Sequence, residues 1–156
     1  MDSNTPHSLD SLLDPERIHS VVGDCAQLIR DQAKQRSGLS GMAIKGGLKV
    51  IDKVRPTIIE DVMRSLLPEF IERLKPIYSS RQTSDEGELT LSLEDYLIER
   101  SGEVISALLA ITDLRAERSR LGTLVSVYRK LRPLAEESVH ASIPALAALL
   151  QRHGIR

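Results

Sequence analysis

Two Glu-x-x-His pairs are the residues of this sequence whose types and spacing could bind a metal: Glu16 with His19, and Glu137 with His140. On a helix, residues three apart share a side, and carboxylate-bridged di-iron bundles use this pair with both side chains in the core. At about 100° per residue, however, both glutamates point away from the apolar faces of their helices. We therefore expect solvated surface groups, with no metal and no other cofactor.

A glycine-rich segment, residues 37–47, has the most unusual local composition. A glycine-rich turn that enters a helix can bind phosphate through its backbone amides. Its glycines and lysine do not follow the Gly-x4-Gly-Lys-Ser/Thr order, and no strand is expected before it. Close packing against another helix is the favoured interpretation, and the small residues that would allow it are Gly41, Ala43, Gly46 and Gly47.

A row of lysines follows in the same segment. Lys45, Lys49 and Lys53 are spaced four apart, Arg55 is close by, and Asp52 is the single acidic residue among residues 45–55. A basic amphipathic helix can lie on an anionic membrane or bind an acidic partner. A lysine row is also the ordinary solvated face of a packed helix, and the sequence leaves both interpretations open.

No catalytic constellation is recognisable, so we expect a protein that is not an enzyme. Cys25 lies in the middle of an apolar helix face, which favours a buried thiol over a reactive thiolate. A Gly-x-Ser-x-Gly nucleophile motif does not occur in the sequence. The carboxylates are scattered among basic residues at helical spacing, which indicates surface ion pairs.

Composition narrows the class of protein. The 156 residues are about one domain long, and 21 basic and 22 acidic residues are shared evenly between the two halves. Neither the charge nor the 3% of aromatic residues favours nucleic-acid binding. A single cysteine fits a reducing compartment. The polar first ten residues lack the apolar core of a signal peptide, and no apolar run is long enough to span a membrane, so we expect a cytoplasmic protein.

Helical periodicity and the positions of proline and glycine predict an all-α fold of about six helices. The helices are expected to begin near residues 15, 40, 56, 93, 120 and 133. Pro68 is expected to kink or break the third helix, Pro144 to interrupt the last helix, and Ser101-Gly102 to bend the fourth. No segment shows the alternation that is typical of a half-buried strand.

The second half of the chain repeats landmarks of the first. Three motifs recur in order: Ser-Leu-x-Asp at 11–14 and 92–95, Asp-x4-Arg-Ser-x-Leu at 31–39 and 113–121, and Lys-x-Arg-Pro at 53–56 and 130–133. This internal repeat predicts two three-helix halves related by a pseudo-twofold axis.

The domain organisation follows from the repeat. We expect a disordered tail over residues 1–10 and a single helical domain over 11–156, with halves at about 11–78 and 92–153 and a linker at 79–91. The copies differ most between their last two landmarks. Thirteen residues separate Leu39 from Lys53, but eight separate Leu121 from Lys130, so we expect function where the copies diverge.

Residues 37–56, Leu66–Phe70 and Ala107–Asp113 carry a resemblance to an uncharacterised family of short, all-helical bacterial proteins. The resemblance extends over about residues 10–150. It implies a bacterial cytosolic setting and no site residues.

Three hypotheses for the function follow from these features. The first is a non-enzymatic helical binding or interaction protein, with a protein partner or self-association. The second is peripheral binding of anionic lipid or an acidic ligand through the basic helix at 40–55, using Lys45, Lys49, Lys53 and Arg55. The third is a small-molecule pocket between the two halves.

Overall fold

The structure is a computed structural model, and it describes residues 8–83 and 91–156. These residues form seven α-helices and two 3-10 helices, with no strand among them, so the predicted all-α fold class is confirmed. The α-helices are α1 Ile18–Gln35, α2 Gly38–Val54, α3 Ile58–Thr83, α4 Leu93–Glu99, α5 Ser101–Arg118, α6 Gly122–Leu131 and α7 Ala135–Arg152. The 3-10 helices are Leu9–Leu13 and Arg132–Leu134.

Pro68 and Pro144 do not break their helices, which corrects the predicted breaks, whereas a kink at Pro68 stays a prediction. Both residues, and Pro76, lie within continuous α-helices. Each proline is exposed, and so is the residue four positions earlier, whose carbonyl loses its intrahelical donor. Because these carbonyls are on the solvent side, water can hydrate them while the opposite face of the helix stays packed.

Other predicted breaks do occur. Pro56 separates α2 from α3. The predicted fourth helix is interrupted at Arg100, between α4 and α5, next to the predicted bend. α4 begins at Leu93 because Ser92 caps it, with a side-chain oxygen that accepts a hydrogen bond from the Asp95 backbone N–H at 3.1 Å.

The predicted tail and linker are both too long. Leu9 is buried in the main core and begins a 3-10 helix, so the tail does not extend to residue 10. The third helix continues to Thr83, so the first part of the predicted linker is helical. Residues 1–7 and 84–90 lie outside the described residues.

The core joins the two predicted halves. The main cluster of buried side chains is shared by the first 3-10 helix, α1, α3, α4, α5 and α7. Across the halves, α3 packs against α5, α1 against α7, and α2 against α6. These contacts join the two predicted halves, and the internal repeat with its pseudo-twofold axis stays a prediction.

α2 and α6 lie at the edge of this core. Gly41 is the one fully buried residue of α2, and Val127 is the one fully buried residue of α6. A smaller cluster around Ile58 holds α2 through the partly buried Leu48 and Ile51. No helix in the described part of the chain is long and apolar enough to cross a membrane.

Candidate functional site: the groove between α2 and α6

A tight corner sets the position of α2. α1 ends at Gln35, and Gly38 begins the next helix with a positive φ of 71°, which favours glycine. A Cβ atom at Gly41 would lie 2.5 Å from the Arg36 carbonyl oxygen. The corner therefore requires a residue without a side chain at position 41.

The second close approach brings α2 to α6. A Cβ atom at Gly47 would lie 2.9 Å from Leu131 Cδ1 and 3.0 Å from Val127 Cγ1. Gly46 has no atom within 4 Å of its Cβ position, and Ala43 is exposed. The glycine-rich segment thus performs close packing at Gly41 and Gly47, and the expectation of close packing is wrong for Ala43 and Gly46.

Ala43 and Gly46 instead line an open groove of about 670 Å³ between the two helices. Most of its lining atoms belong to small or apolar residues. They are Met42, Ala43, Gly46, Gly47 and Val50 of α2, and Gly122, Thr123, Ser126, Val127, Lys130 and Leu131 of α6. We call this space the α2–α6 groove.

Large apolar side chains beside the groove are exposed to solvent. Leu39 is 85% exposed and Met42 is 71% exposed, and Val50, Val54 and Leu121 are also more than a third exposed. Periodicity predicted one apolar face for α2, packed on the core. The helix has apolar residues around most of its circumference, and only Leu48 and Ile51 contact the core cluster.

The lysine row runs along one rim of the groove. Lys45, Lys49 and Lys53 are exposed, and each follows a groove-side residue (Met42, Gly46 or Val50) by three positions, which makes them neighbours on the helix surface. Lys130 of α6 belongs to the groove lining itself.

The predicted fourth cation does not join this row. Arg55 is bonded to Asp61 of α3 through Nε at 2.9 Å. Asp52, the one carboxylate of α2, is paired with Arg30 of α1 at 3.1 Å. The three lysines consequently have no carboxylate of α2 to offset their charge.

A polar cluster holds α6 in place behind the groove. The Asp113 carboxylate of α5 accepts hydrogen bonds from Arg132 Nε at 2.8 Å and from the Tyr128 hydroxyl, which also contacts the Thr112 hydroxyl at 2.8 Å. The Arg132 guanidinium, then the Tyr128 hydroxyl, lower the pKa of Asp113. Burial, together with the bond to Asp113, raises the pKa of Tyr128.

The cysteine and histidine side chains that could take part in chemistry have surroundings typical of structural residues. Burial, followed by the charge of Asp24, raises the pKa of the Cys25 thiol to about 11, so little thiolate forms at neutral pH. His19 lies 3.3 Å from an Arg64 nitrogen, which is a cation and no metal ligand. Among the described residues, no three His, Cys, Asp or Glu side chains come together as a metal site would require.

The main core offers little space for a small molecule. A cavity bordered by Leu9, Tyr78 and Leu150 has a volume of about 10 Å³, close to that of a single water molecule. The α2–α6 groove is larger, and it lies between the predicted halves, but it is open to solvent along its length.

Comparison with known proteins identifies the family and nothing more specific. The model of a family of unknown function (DUF6918) matches residues 9–154, so the chain belongs to this family. No curated protein and no solved structure matches the chain.

Proposed function

We propose that this member of the DUF6918 family is a non-enzymatic interaction protein that binds an α-helix of a protein partner in the α2–α6 groove. The observation that carries the proposal is the exposure of apolar residues on α2, a helix with one fully buried residue. Exposed apolar patches of this kind mark interaction surfaces in folded proteins.

The shape of the groove favours a helix as the occupant. Ala43, Gly46 and Gly122 place little side-chain volume along the groove, so the backbone of a third helix can approach closely. The lining extends over residues 42–50 of α2, roughly 12 Å, which is enough for about two turns of a docked helix. Helix-in-groove binding uses apolar side chains at positions i, i+3, i+4 and i+7 of the bound helix.

A second copy of this chain is a poorer occupant of the same groove. α2 and α6 together carry five basic residues and one acidic residue, Asp52, which Arg30 already neutralises. Two such surfaces facing each other would repel, since like charges at an interface are unfavourable. Self-association through this face is therefore not part of the proposal.

An anionic membrane surface is the second candidate. The row of Lys45, Lys49 and Lys53 beside the exposed Leu39 and Met42 is the observation that favours it. The groove argues for a helix instead, because its small lining residues leave a hollow where a membrane-binding face would present protruding apolar side chains. The free Cys25 and the sequence resemblance support a bacterial cytoplasmic setting.

Site-specific photocrosslinking in cells that make the protein naturally tests the proposal. A photoreactive residue in place of Ala43, within the groove, should form a discrete protein adduct, and the same residue at the exposed Glu94 of α4 should not. Adding Val50→Glu, which places a charge in the groove, should remove the adduct. Identical adducts from both positions, or an adduct that survives Val50→Glu, would contradict the proposal.

A further inference from the structure

We infer that the partner helix is acidic, with carboxylates on both sides of the apolar stripe that enters the α2–α6 groove. This inference rests on the proposed function and specifies the chemistry of the partner. The observation that supports it is the position of the charged residues around the groove. This observation is independent of the apolar lining, on which the proposed function rests.

The first rim of the groove is basic along the length of α2. Lys45, Lys49 and Lys53 form an i, i+4 row beside Met42, Gly46 and Val50. A docked helix whose apolar residues contact the groove would place its flanking residues over this row. Glutamate or aspartate at those flanking positions would form ion pairs with the lysines.

The opposite rim is basic as well. Lys130 lines the groove, Arg129 precedes it and is exposed, and α6 contains no acidic residue. A complementary helix therefore needs acidic residues on both flanks.

The basic rim contrasts with the rest of the molecule. The whole chain has a formal net charge of −1, and elsewhere the structure pairs many cations with carboxylates. Arg115 with Glu69 at 2.8 Å and Arg36 with Glu137 at 3.6 Å are examples that join the two predicted halves. Among the described residues, Lys45, Lys49 and Lys53 have no such pair, and together they form a local positive field that would steer an acidic partner.

The experiment uses two synthetic peptides as probes for the full-length protein. Each is a fluorescein-labelled, 18-residue helix former with a leucine and alanine stripe, flanked by glutamates in one and by lysines in the other. Fluorescence anisotropy measures the dissociation constants. We expect the acidic peptide to bind at least about tenfold more tightly than the basic one. The difference should shrink between about 0.05 M and about 0.5 M sodium chloride.

Charge reversal of the protein is the matched test. Lys45→Glu with Lys49→Glu and Lys53→Glu should remove most of the preference for the acidic peptide, because only the cations of α6 then remain beside the groove. Reversal of three exposed cations outside the groove lining should leave it unchanged, and the control substitutions are Lys34→Glu, Arg73→Glu and Arg152→Glu. Circular dichroism confirms that both triple variants remain helical.

The outcomes separate this inference from the proposed function. Equal binding of both peptides, unaffected by the charge reversal but lost in Val50→Glu, would overturn the acidic partner and keep the helix-binding groove. If neither peptide binds, both proposals fail. Co-sedimentation with vesicles of phosphatidylcholine and phosphatidylglycerol, lost on lysine reversal, would then identify an anionic membrane as the occupant.

Discussion

At the scale of single residues, the glycines of α2 show how one residue type serves different purposes. Gly41 is required because a Cβ atom would contact the Arg36 backbone, Gly47 sits against two side chains of α6, and Gly46 borders open space. The sequence predicted a close-packing role for all of them. It could not separate them because the distinction depends on which neighbour each Cα faces, and that neighbour is set by the tertiary fold.

A pair of identical substitutions tests these roles. Gly41→Ala should lower the free energy of unfolding by about 1–3 kcal/mol, because the backbone of the corner must shift. Gly46→Ala should raise it by up to about 1 kcal/mol, because alanine has the higher helix propensity and the site is open. Urea unfolding followed by circular dichroism measures both. Equal effects of the two substitutions would contradict the assigned geometry.

Asp113 makes stability depend on pH. Its hydrogen bonds with Arg132 and Tyr128 lower its pKa below the ordinary value of 3.8. The folded state thus favours the ionised form, so the contribution to stability is present above the ordinary pKa and is lost as the pH falls through the folded pKa. Asp113→Asn should be less stable than the parent protein at pH 7, and the gap should close below about pH 4.

Urea midpoints measured from about pH 7 to about pH 2.5 check this expectation. Asp31→Asn is the control, because Asp31 is exposed and accepts a hydrogen bond from Gln27 rather than from an arginine. A gap between Asp113→Asn and the parent protein that is constant over the whole pH range would contradict the assigned cause.

At the scale of helices, the sequence predicted most elements but misjudged how prolines act. The start of α4 follows from its capping residue Ser92, and the start of α3 follows from Pro56, and both are local signals. The continuity of α3 through Pro68 is not a local signal. It depends on packing against α1 and α5, which requires one buried face of α3 on both sides of the proline.

α2 shows a similar limit of periodicity. Its apolar residues predicted a packed face, and its lysines predicted an exposed one, but the structure leaves part of the apolar surface in solvent as well. The sequence did contain one signal for a groove, because α2 has more apolar residues than a single packed face can use. The sequence could not show that α6 forms the other wall of the groove, because that depends on the tertiary contacts.

Exposed apolar residues of α2 should contribute little to stability. Leu39→Ala together with Met42→Ala should change the free energy of unfolding by no more than about 1 kcal/mol, because both side chains are mostly in solvent. Leu149→Ala, at a fully buried position of α7, should cost about 2–5 kcal/mol. Thermal and urea unfolding measure the three substitutions. A large loss in the α2 double variant would mean that these residues are structural.

At the scale of the whole molecule, the C-terminal residues pack into the core. Ile155 is fully buried, the Tyr78 hydroxyl donates to the Arg156 carbonyl at 2.6 Å, and Arg17 donates to the His153 carbonyl. His153 also lies 2.8 Å from the Asp24 carboxylate of α1. These contacts hold α7 against α1 and α3, and nothing in the local sequence around residue 155 indicated them.

Truncation of the buried Ile155 side chain tests whether the C-terminal residues support the core. Ile155→Ala should lower the free energy of unfolding by about 2–5 kcal/mol, whereas Ile98→Ala, at a position 40% exposed, should cost less than about 1 kcal/mol. Both are read from urea unfolding curves. Similar costs for the two substitutions would show that the C-terminal residues do not support the core.

The most direct test of the docking groove is a map of where the acidic 18-residue peptide binds. Backbone amide chemical shifts of the labelled protein, recorded as the unlabelled peptide is added, report this residue by residue. We predict that the largest changes fall on α2 and α6, at Ala43, Gly46, Val50 and Ser126, with little change on α4. Changes centred on another surface, or no changes at saturating peptide, would contradict the α2–α6 groove as the docking site.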